Sequence, residues 1–145
     1  MSFLTEIIEK LSNNVTLVSL VGDRIYKEEL EVDIKGTGYA AISVSVSGGA
    51  SPGSHSWRNP RVEIAIYADN TRNASGLPIS ADTGDRMQAI YKVLDSELHF
   101  FDGEVQDWGP NRVLRSLREG EPRVLWDPNA DTPALVVSYN VTYLD

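Results

Sequence analysis

The stretch Arg61-Val62-Glu63-Ile64-Ala65-Ile66-Tyr67-Ala68 decides the fold, because a branched apolar residue occupies every second position from Val62 to Ile66. Side chains alternate between the two faces of a β-strand, so this pattern predicts a strand with one buried face. The segment Tyr39–Ser47 has the same spacing, with Ile42, Val44 and Val46. We therefore expect the two segments to pair as a long β-hairpin with one shared apolar face.

Helical periodicity occurs on both sides of this hairpin. Near the N-terminus, apolar residues recur on one helical face at Phe3, Leu4, Ile7, Ile8 and Leu11. A second helix is expected after Ser80 or Asp82, either of which could cap it. Its core stripe is Met87, Ile90, Tyr91, Leu94 and Leu98. Between them, Val15–Val21 could form a short helix or a turn before Gly22.

The C-terminal part of the chain reads as strands. The segment Ala134–Leu144 alternates well, and we also expect strands at Arg112–Arg118 and Arg123–Trp126. The segment from His99 to Asn111 is expected to be a loop. Together these elements predict an α+β fold, in which a mainly antiparallel or mixed sheet is packed by an N-terminal and a central helix. At 145 residues, a single domain spanning 1–145 is expected.

The composition argues against several classes of function. Lys and Arg total 13 against 21 Asp and Glu, which gives a net charge of −8. Such a surface has no general attraction for DNA or anionic membranes. The chain has no Cys, so disulfides and thiolate chemistry are excluded. The apolar run Val15–Val21 is too short to span a bilayer, and no membrane association is expected.

No catalytic, metal or cofactor site is predicted. The segment Asp127–Asp131 begins like a calcium loop, but Thr132 and Ser138 stand where Gly and Glu are needed, so a turn explains it better. The only two His residues, His55 and His99, lie far apart in the sequence. With 21 acidic residues, some pair of carboxylates is always available, so such a pair does not indicate an enzyme.

Five residues are candidates for contacts with a protein partner: Trp57, Arg58, Arg112, Arg115 and Arg118. Trp57 and Arg58 end the Gly-, Ser- and Pro-rich segment 47–60, although Trp57 could equally fold back on the sheet. The three Arg residues belong to a local concentration of positive charge. They could meet an acidic surface of a neighbouring subunit or touch a nucleic acid, or they could be ordinary exposed strand residues beside Glu119 and Glu121. Because the chain as a whole is acidic, a nucleic-acid contact is the least expected of the three.

The order of elements resembles the tail-terminator, or tail-completion, proteins of long-tailed bacteriophages over nearly the full length. The residues that carry this resemblance are Gly22-Asp23-Arg24-Ile25-Tyr26 after the first helix, Val62–Tyr67, Arg86–Leu94 and Arg123–Asn129. The Gly-Asp-Arg-Ile-Tyr segment is the most specific of these. The insert at 47–60 departs from the family pattern, and 99–111 is hard to align with it.

The resemblance implies a structural virion protein and no enzymatic activity. Such proteins form a hexameric ring on the head-proximal end of the tail tube, stop tube polymerisation and join the tail to the head connector or stopper. They assemble in the host cytoplasm and remain in the virion at the head–tail junction. Genomic DNA passes through the ring without sequence-specific binding, and acidic residues lining the lumen would favour its passage.

Three alternatives remain open at this point. The chain could be another neck component, such as a connector or stopper; a small soluble binding module; or, least expected, an enzyme. For a ring, we expect the long strands to offer free edges to a neighbouring copy. The final strand and the segment 47–60 are the expected contact elements.

Overall fold

The computed structural model describes residues 3–30, 34, 37–48, 57–69, 71–72, 78–100 and 104–144. Within these ranges the helices are α1 Phe3–Ser12, α2 Val15–Val21 and α3 Ser80–Leu98. The strands are β1 Ile25–Lys27, β2 Ala40–Gly48, β3 Trp57–Arg58, β4 Pro60–Ala68, β5 Thr71–Arg72, β6 Pro78–Ile79, β7 Gln106–Trp108, β8 Asn111–Arg118, β9 Arg123–Asp127 and β10 Thr132–Leu144. The predicted α+β class is confirmed.

Eight strands form one mixed sheet. Its main path is β1-β2-β4-β10-β8-β7, and β3 and β9 also pair with β10. The β1–β2 pair is parallel, and the other pairs of this sheet are antiparallel. Strands β5 and β6 pair separately. The sheet is therefore mainly antiparallel, as the sequence predicts.

The predicted hairpin consists of β2 and β4. Ile42 pairs with Ile66 and Val44 with Ile64, so the apolar residues of both strands lie on the same face. These four side chains are fully buried. The segment 47–60 connects the two strands. Its residues 49–56, which include His55, lie outside the described residues.

All three helices contribute side chains to a core on that face of the sheet. Ile7 and Leu11 of α1, Leu17 of α2, and Ile90 and Leu94 of α3 are almost completely buried. Burying an aliphatic side chain of this size contributes about 1.5–3 kcal/mol. All of these residues except Leu17 come from the two predicted helical stripes, which confirms both stripes as core.

The segment Val15–Val21 forms a helix, which decides between the two possibilities left open by its sequence. Asn14 caps it, because its side-chain oxygen accepts a hydrogen bond from the backbone N–H of Leu17 at 3.0 Å. Gly22 ends it with φ 62°, a conformation that glycine adopts without steric cost, and its N–H donates to the carbonyl of Val18. The helix packs against α1 and α3, and its buried side chains join the core.

Two expectations about strands are wrong. Strand β10 was expected to offer a free edge, but it pairs with β3 and β4 on one side and with β8 and β9 on the other. It is the centre of the sheet, and most of its residues are buried. The expected loop at 99–111 contains β7, which pairs with the start of β8 at the sheet edge. Three residues are too few for a strand period to be recognised in the sequence.

Candidate functional site

Among the residues whose exposure the structure describes, three consecutive large apolar side chains are exposed on β9. Val124, Leu125 and Trp126 are 63%, 45% and 61% exposed. Strand β9 pairs with β10, and no other described strand pairs with it. An exposed apolar edge strand is a template for association with another chain, and soluble proteins usually cover or charge such edges. This strand is therefore the first candidate for an interface.

A groove of about 270 Å³ lies beneath β9 on the sheet face opposite the helices. Leu125 and Trp126 form one wall, and the acidic residues Glu28, Glu63 and Asp127 also line the groove. We call Val124, Leu125 and Trp126, together with these three acids, the hairpin surface, after the hairpin of β9 and β10; Arg123, which is also exposed on β9, does not line the groove. The hairpin surface combines a large aromatic side chain with carboxylates, a combination suited to a basic side chain that packs on the aromatic ring.

Asp127 is held in place within the hairpin surface. The hydroxyl of Tyr67 donates a hydrogen bond of 2.6 Å to its Oδ2 atom. Its Oδ1 atom accepts from the backbone N–H groups of Asn129 and Ala130, at 2.9 and 3.3 Å. The hydrogen bond from Tyr67, aided by the two backbone bonds, lowers the pKa of Asp127 against the opposing effect of burial. The groove therefore carries a carboxylate that stays ionised well into acid.

These backbone hydrogen bonds also identify the segment Asp127–Asp131 as a turn. An aspartate that binds the N–H groups two and three residues later is an Asx turn, which here connects β9 to β10. The predicted turn is confirmed for this segment. Burial and the bond to Asp127 raise the pKa of Tyr67, so its hydroxyl remains a donor at every physiological pH.

A second surface lies at the opposite end of β10. Leu144 pairs with Trp57 of β3 on one side and with Arg112 of β8 on the other. Arg58 pairs with Tyr143, and the side chain of Arg115 donates to the hydroxyl oxygen of Thr142 at 3.4 Å. We call this region the basic surface, comprising Trp57, Arg112, Arg115 and Leu144. Three of the five predicted contact residues thus share a face of the sheet, and Arg58 lies at the same end of β10 on the opposite face, paired with Tyr143.

The side chain of Arg112 is 63% exposed, and Asp107 is the acid beside it, at 3.5 Å. A single exposed pair of this kind is worth at most about 1 kcal/mol, so Arg112 can exchange it for another carboxylate at little cost. Behind this corner of the sheet, the rings of Phe3 and Tyr143 stack at 4.1 Å, and Phe3 also stacks on the buried Trp108. The aromatic packing makes the basic surface a firm part of the fold.

Arg118, the fifth predicted contact residue, lies elsewhere. Its guanidinium Nη1 is 2.9 Å from the Oδ2 atom of Asp95 and donates to the hydroxyl of Tyr91 at 2.6 Å, both on α3. The sheet register shifts between Thr142 and Tyr143, which leaves Leu114 of β8 as an extra residue. Because of this bulge, Arg118 faces the helices while Arg112 lies on the opposite face. Arg118 is engaged in joining β8 to α3.

The two surfaces are separated by most of the length of β10. Leu125 of the hairpin surface pairs with Ala134, and Arg112 of the basic surface pairs with Leu144. Ten residues of strand at about 3.3 Å each place the surfaces about 33 Å apart. They are thus distinct patches of opposite charge on one subunit.

Sequence reasoning identified Arg123–Trp126 as a strand but did not predict its exposure. The available signal was its composition: three consecutive apolar residues break the alternation that the half-buried strands of this chain follow. Such a run is also typical of a strand buried on both faces. The sequence alone could not distinguish these two cases.

Another cavity, of about 370 Å³, lies between α1, α3 and β7. Glu6, Glu9, Glu97 and Asp107 line it, and Lys10 forms an ion pair of 3.1 Å with Glu97 at its wall. Within the described residues, no group of three or more His, Asp or Glu side chains could hold a metal ion. None of the described helices is long and apolar enough to cross a membrane.

The comparisons with known proteins give a likeness in structure alone. No family model matches the sequence, and no curated protein matches it. A solved structure described as the virion of a native gene transfer agent (GTA) particle contains a chain with a TM-score of 0.63 and 12% sequence identity. The alignment covers 99% of this chain and 96% of that one. The chain therefore shares its fold, over almost its whole length, with a protein of that virion.

Proposed function

We propose that this chain is a structural virion protein that closes the head-proximal end of a bacteriophage tail tube as a ring. The observation that carries the proposal is the match in fold to a protein of the gene transfer agent virion. That match is end to end, covering 99% of this chain and 96% of the other. A shared small subdomain would have left part of one chain unmatched, so the two proteins have the same overall build.

Two further observations support an assembly role. The exposed apolar residues of β9 lie on the sheet edge, where association with another protein would cover them. The resemblance of the Gly22–Tyr26, Arg86–Leu94 and Arg123–Asn129 segments to tail terminators indicates which assembly. In this proposal the partners are further copies of the chain in a hexamer, the tail-tube protein, and the head connector or stopper.

The charge of the chain fits a protein that encircles DNA without holding it. A net charge of −8 repels the phosphate backbone unless basic residues are concentrated on the lumen side. We propose that acidic residues line the lumen and that genomic DNA passes without sequence-specific contacts. A ring with a lumen dominated by Arg would contradict this part of the proposal.

Binding to separated virion parts tests the proposal against the nearest alternative, a connector or stopper. The chain has no Cys, so Gln88→Cys on the exposed side of α3 provides a single attachment point for a gold label. Labelled protein is mixed with purified tail tubes and, separately, with filled heads, and both are imaged by electron microscopy. We expect label at one end of the tubes and an arrest of further tube growth. Label on heads alone, or on neither part, would overturn the proposal.

A further inference from the structure

We propose that neighbouring copies of this chain join head to tail, with the hairpin surface of one copy bound to the basic surface of the next. This inference depends on the proposed ring, and it specifies which residues close it. The occupant of the hairpin surface is thus a second copy of the same chain. The argument rests on exposure, charge and the placement of the two surfaces.

The hairpin surface requires a partner with both apolar and basic groups. Leu125 and Trp126 offer apolar area, while Glu63 and Asp127 place carboxylates beside them. The basic surface supplies the counterpart, since Leu144 and Trp57 adjoin Arg112. An Arg side chain can stack on an aromatic ring and bind a carboxylate at the same time, which is why Arg and Trp dominate the energy of many interfaces.

The charges also disfavour the symmetric pairing of two hairpin surfaces, even though Arg61 lies 4.0 Å from Glu63. Such a contact would bring Glu28, Glu63 and Asp127 of one copy close to the same three acids of the other. Like charges that face each other across an interface cost several kcal/mol. Two basic surfaces would repel each other for the same reason. The complementary arrangement is the contact between one surface of each kind.

Placement then determines the type of assembly. The two surfaces lie at opposite ends of β10, about 33 Å apart by the rise of a β-strand. When one such contact joins two copies, one surface of each kind stays free, so addition continues until a ring closes. Two copies that face each other antiparallel can instead make the contact twice, so a double variant that gives only covalent dimers would overturn the ring. The inferred interface is therefore of the kind that a ring requires.

Cysteine cross-linking in the cysteine-free chain tests the inference directly. Leu125→Cys marks the hairpin surface, Leu144→Cys marks the basic surface and leaves Arg112 in place, and Gln88→Cys on α3 is the matched control. Pairs of full-length variants are mixed at high concentration with a flexible bis-maleimide, which also traps weak contacts. We expect L125C to cross-link to L144C far more than either cross-links to itself or to Q88C. A chain with both substitutions should give a ladder of covalent oligomers.

Charge-reversed variants test whether the two surfaces bind through complementary charge or are cross-linked only because they happen to lie close together. With Leu144→Cys as the basic-surface marker, the added substitution Arg112→Glu should lower cross-linking to L125C roughly tenfold, which corresponds to about 1.4 kcal/mol. Glu63→Arg on the L125C partner should restore it. Circular dichroism and thermal unfolding verify that each variant is folded. Preferential L125C self-linking, yields equal to the Q88C control, or indifference to R112E would each overturn the inference.

These outcomes are distinguishable from a failure of the proposed function. Rings on tail tubes without L125C–L144C links would leave the function standing and overturn the interface. Links between the two surfaces, combined with no binding to tubes, would leave the interface standing and overturn the terminator role. A hairpin surface that binds a purified tube or head protein and not a second copy would also overturn the inferred occupant.

Discussion

Replacing Asp95 by Ala should destabilise the chain by about 2–4 kcal/mol, because this carboxylate serves two buried or half-buried partners. The hydroxyl of Tyr139, a residue with no exposed surface, donates to its Oδ1 atom at 2.9 Å. Arg118 contacts its Oδ2 atom at 2.9 Å. Burial and the neighbouring Asp95 raise the pKa of Tyr139, so its hydroxyl keeps its proton and needs an acceptor.

Most of the stability that D95A loses comes from the Tyr139 hydroxyl, which is left buried without an acceptor. A buried donor that loses its acceptor costs about 1–3 kcal/mol, whereas the ion pair with Arg118, whose side chain is 26% exposed, adds up to about 1 kcal/mol. Tyr139→Phe removes the donor itself and should cost about 1 kcal/mol, since Asp95 keeps Arg118 as a partner. In the double variant no hydroxyl is stranded. Its total loss should therefore fall short of the sum of the single losses by at least about 1 kcal/mol.

Urea unfolding at pH 7 measures the free energies of unfolding of the original chain, D95A, Y139F and the double variant. Tryptophan fluorescence follows the transition, because Trp108 is buried and reports on the core. Asp85→Ala, an exposed position on the same helix, controls for helix propensity and should change stability by at most about 0.5 kcal/mol. A loss below about 1 kcal/mol for D95A, or additivity within about 0.5 kcal/mol, would refute the reasoning. It would also leave Arg118 without the stabilising role described above.

Three other substitutions test local features by the same unfolding assay. Tyr67→Phe should lower the free energy of unfolding by about 1 kcal/mol at pH 7. The cost should shrink as the pH falls through the depressed pKa of Asp127, which lies below 3.8, because the protonated carboxyl is a weaker acceptor. A cost that does not change with pH would contradict the hydrogen bond. Gly109→Ala should lower the free energy of unfolding by about 2–4 kcal/mol, because φ is 62° and a Cβ would overlap the Glu6 carboxylate. In a Glu6→Ala background only the backbone cost remains, and the same substitution should cost about 1–2 kcal/mol. Equal costs in the two backgrounds would exclude the overlap. Asn14→Ala should cost about 1 kcal/mol through loss of the α2 cap, and an unchanged midpoint would refute it.

The secondary structure follows closely from the sequence because its signals are local. The stripe from Met87 to Leu98 has the period of a helix, and the alternation in Arg61–Ala68 has the period of a strand. Both periods state which face is apolar, and the burial of those faces agrees. The short strand β7 was missed for the same reason, since three residues contain too little of a period to detect.

The candidate site was only partly predictable. The five contact residues are predicted from local composition, and four of them lie at one end of β10, three on one face and Arg58 on the other. Arg118 is separated from Arg112 by a bulge at Leu114, which turns the following residues to the other face. Nothing in the spacing of the Arg residues indicates that bulge. It arises from how β8 fits against its neighbour.

The sequence by itself determined the long helices and strands, which of their faces are apolar, and that the surface is acidic. Only the tertiary structure decided that the alternating strand β10 lies at the centre of the sheet and the apolar strand β9 at its edge. The physical reason is that periodicity records the environment on either side of a strand, whereas centre and edge depend on hydrogen bonding with segments remote in the chain. The apolar edge and the opposite charges at the two ends of β10 are therefore products of the pairing order.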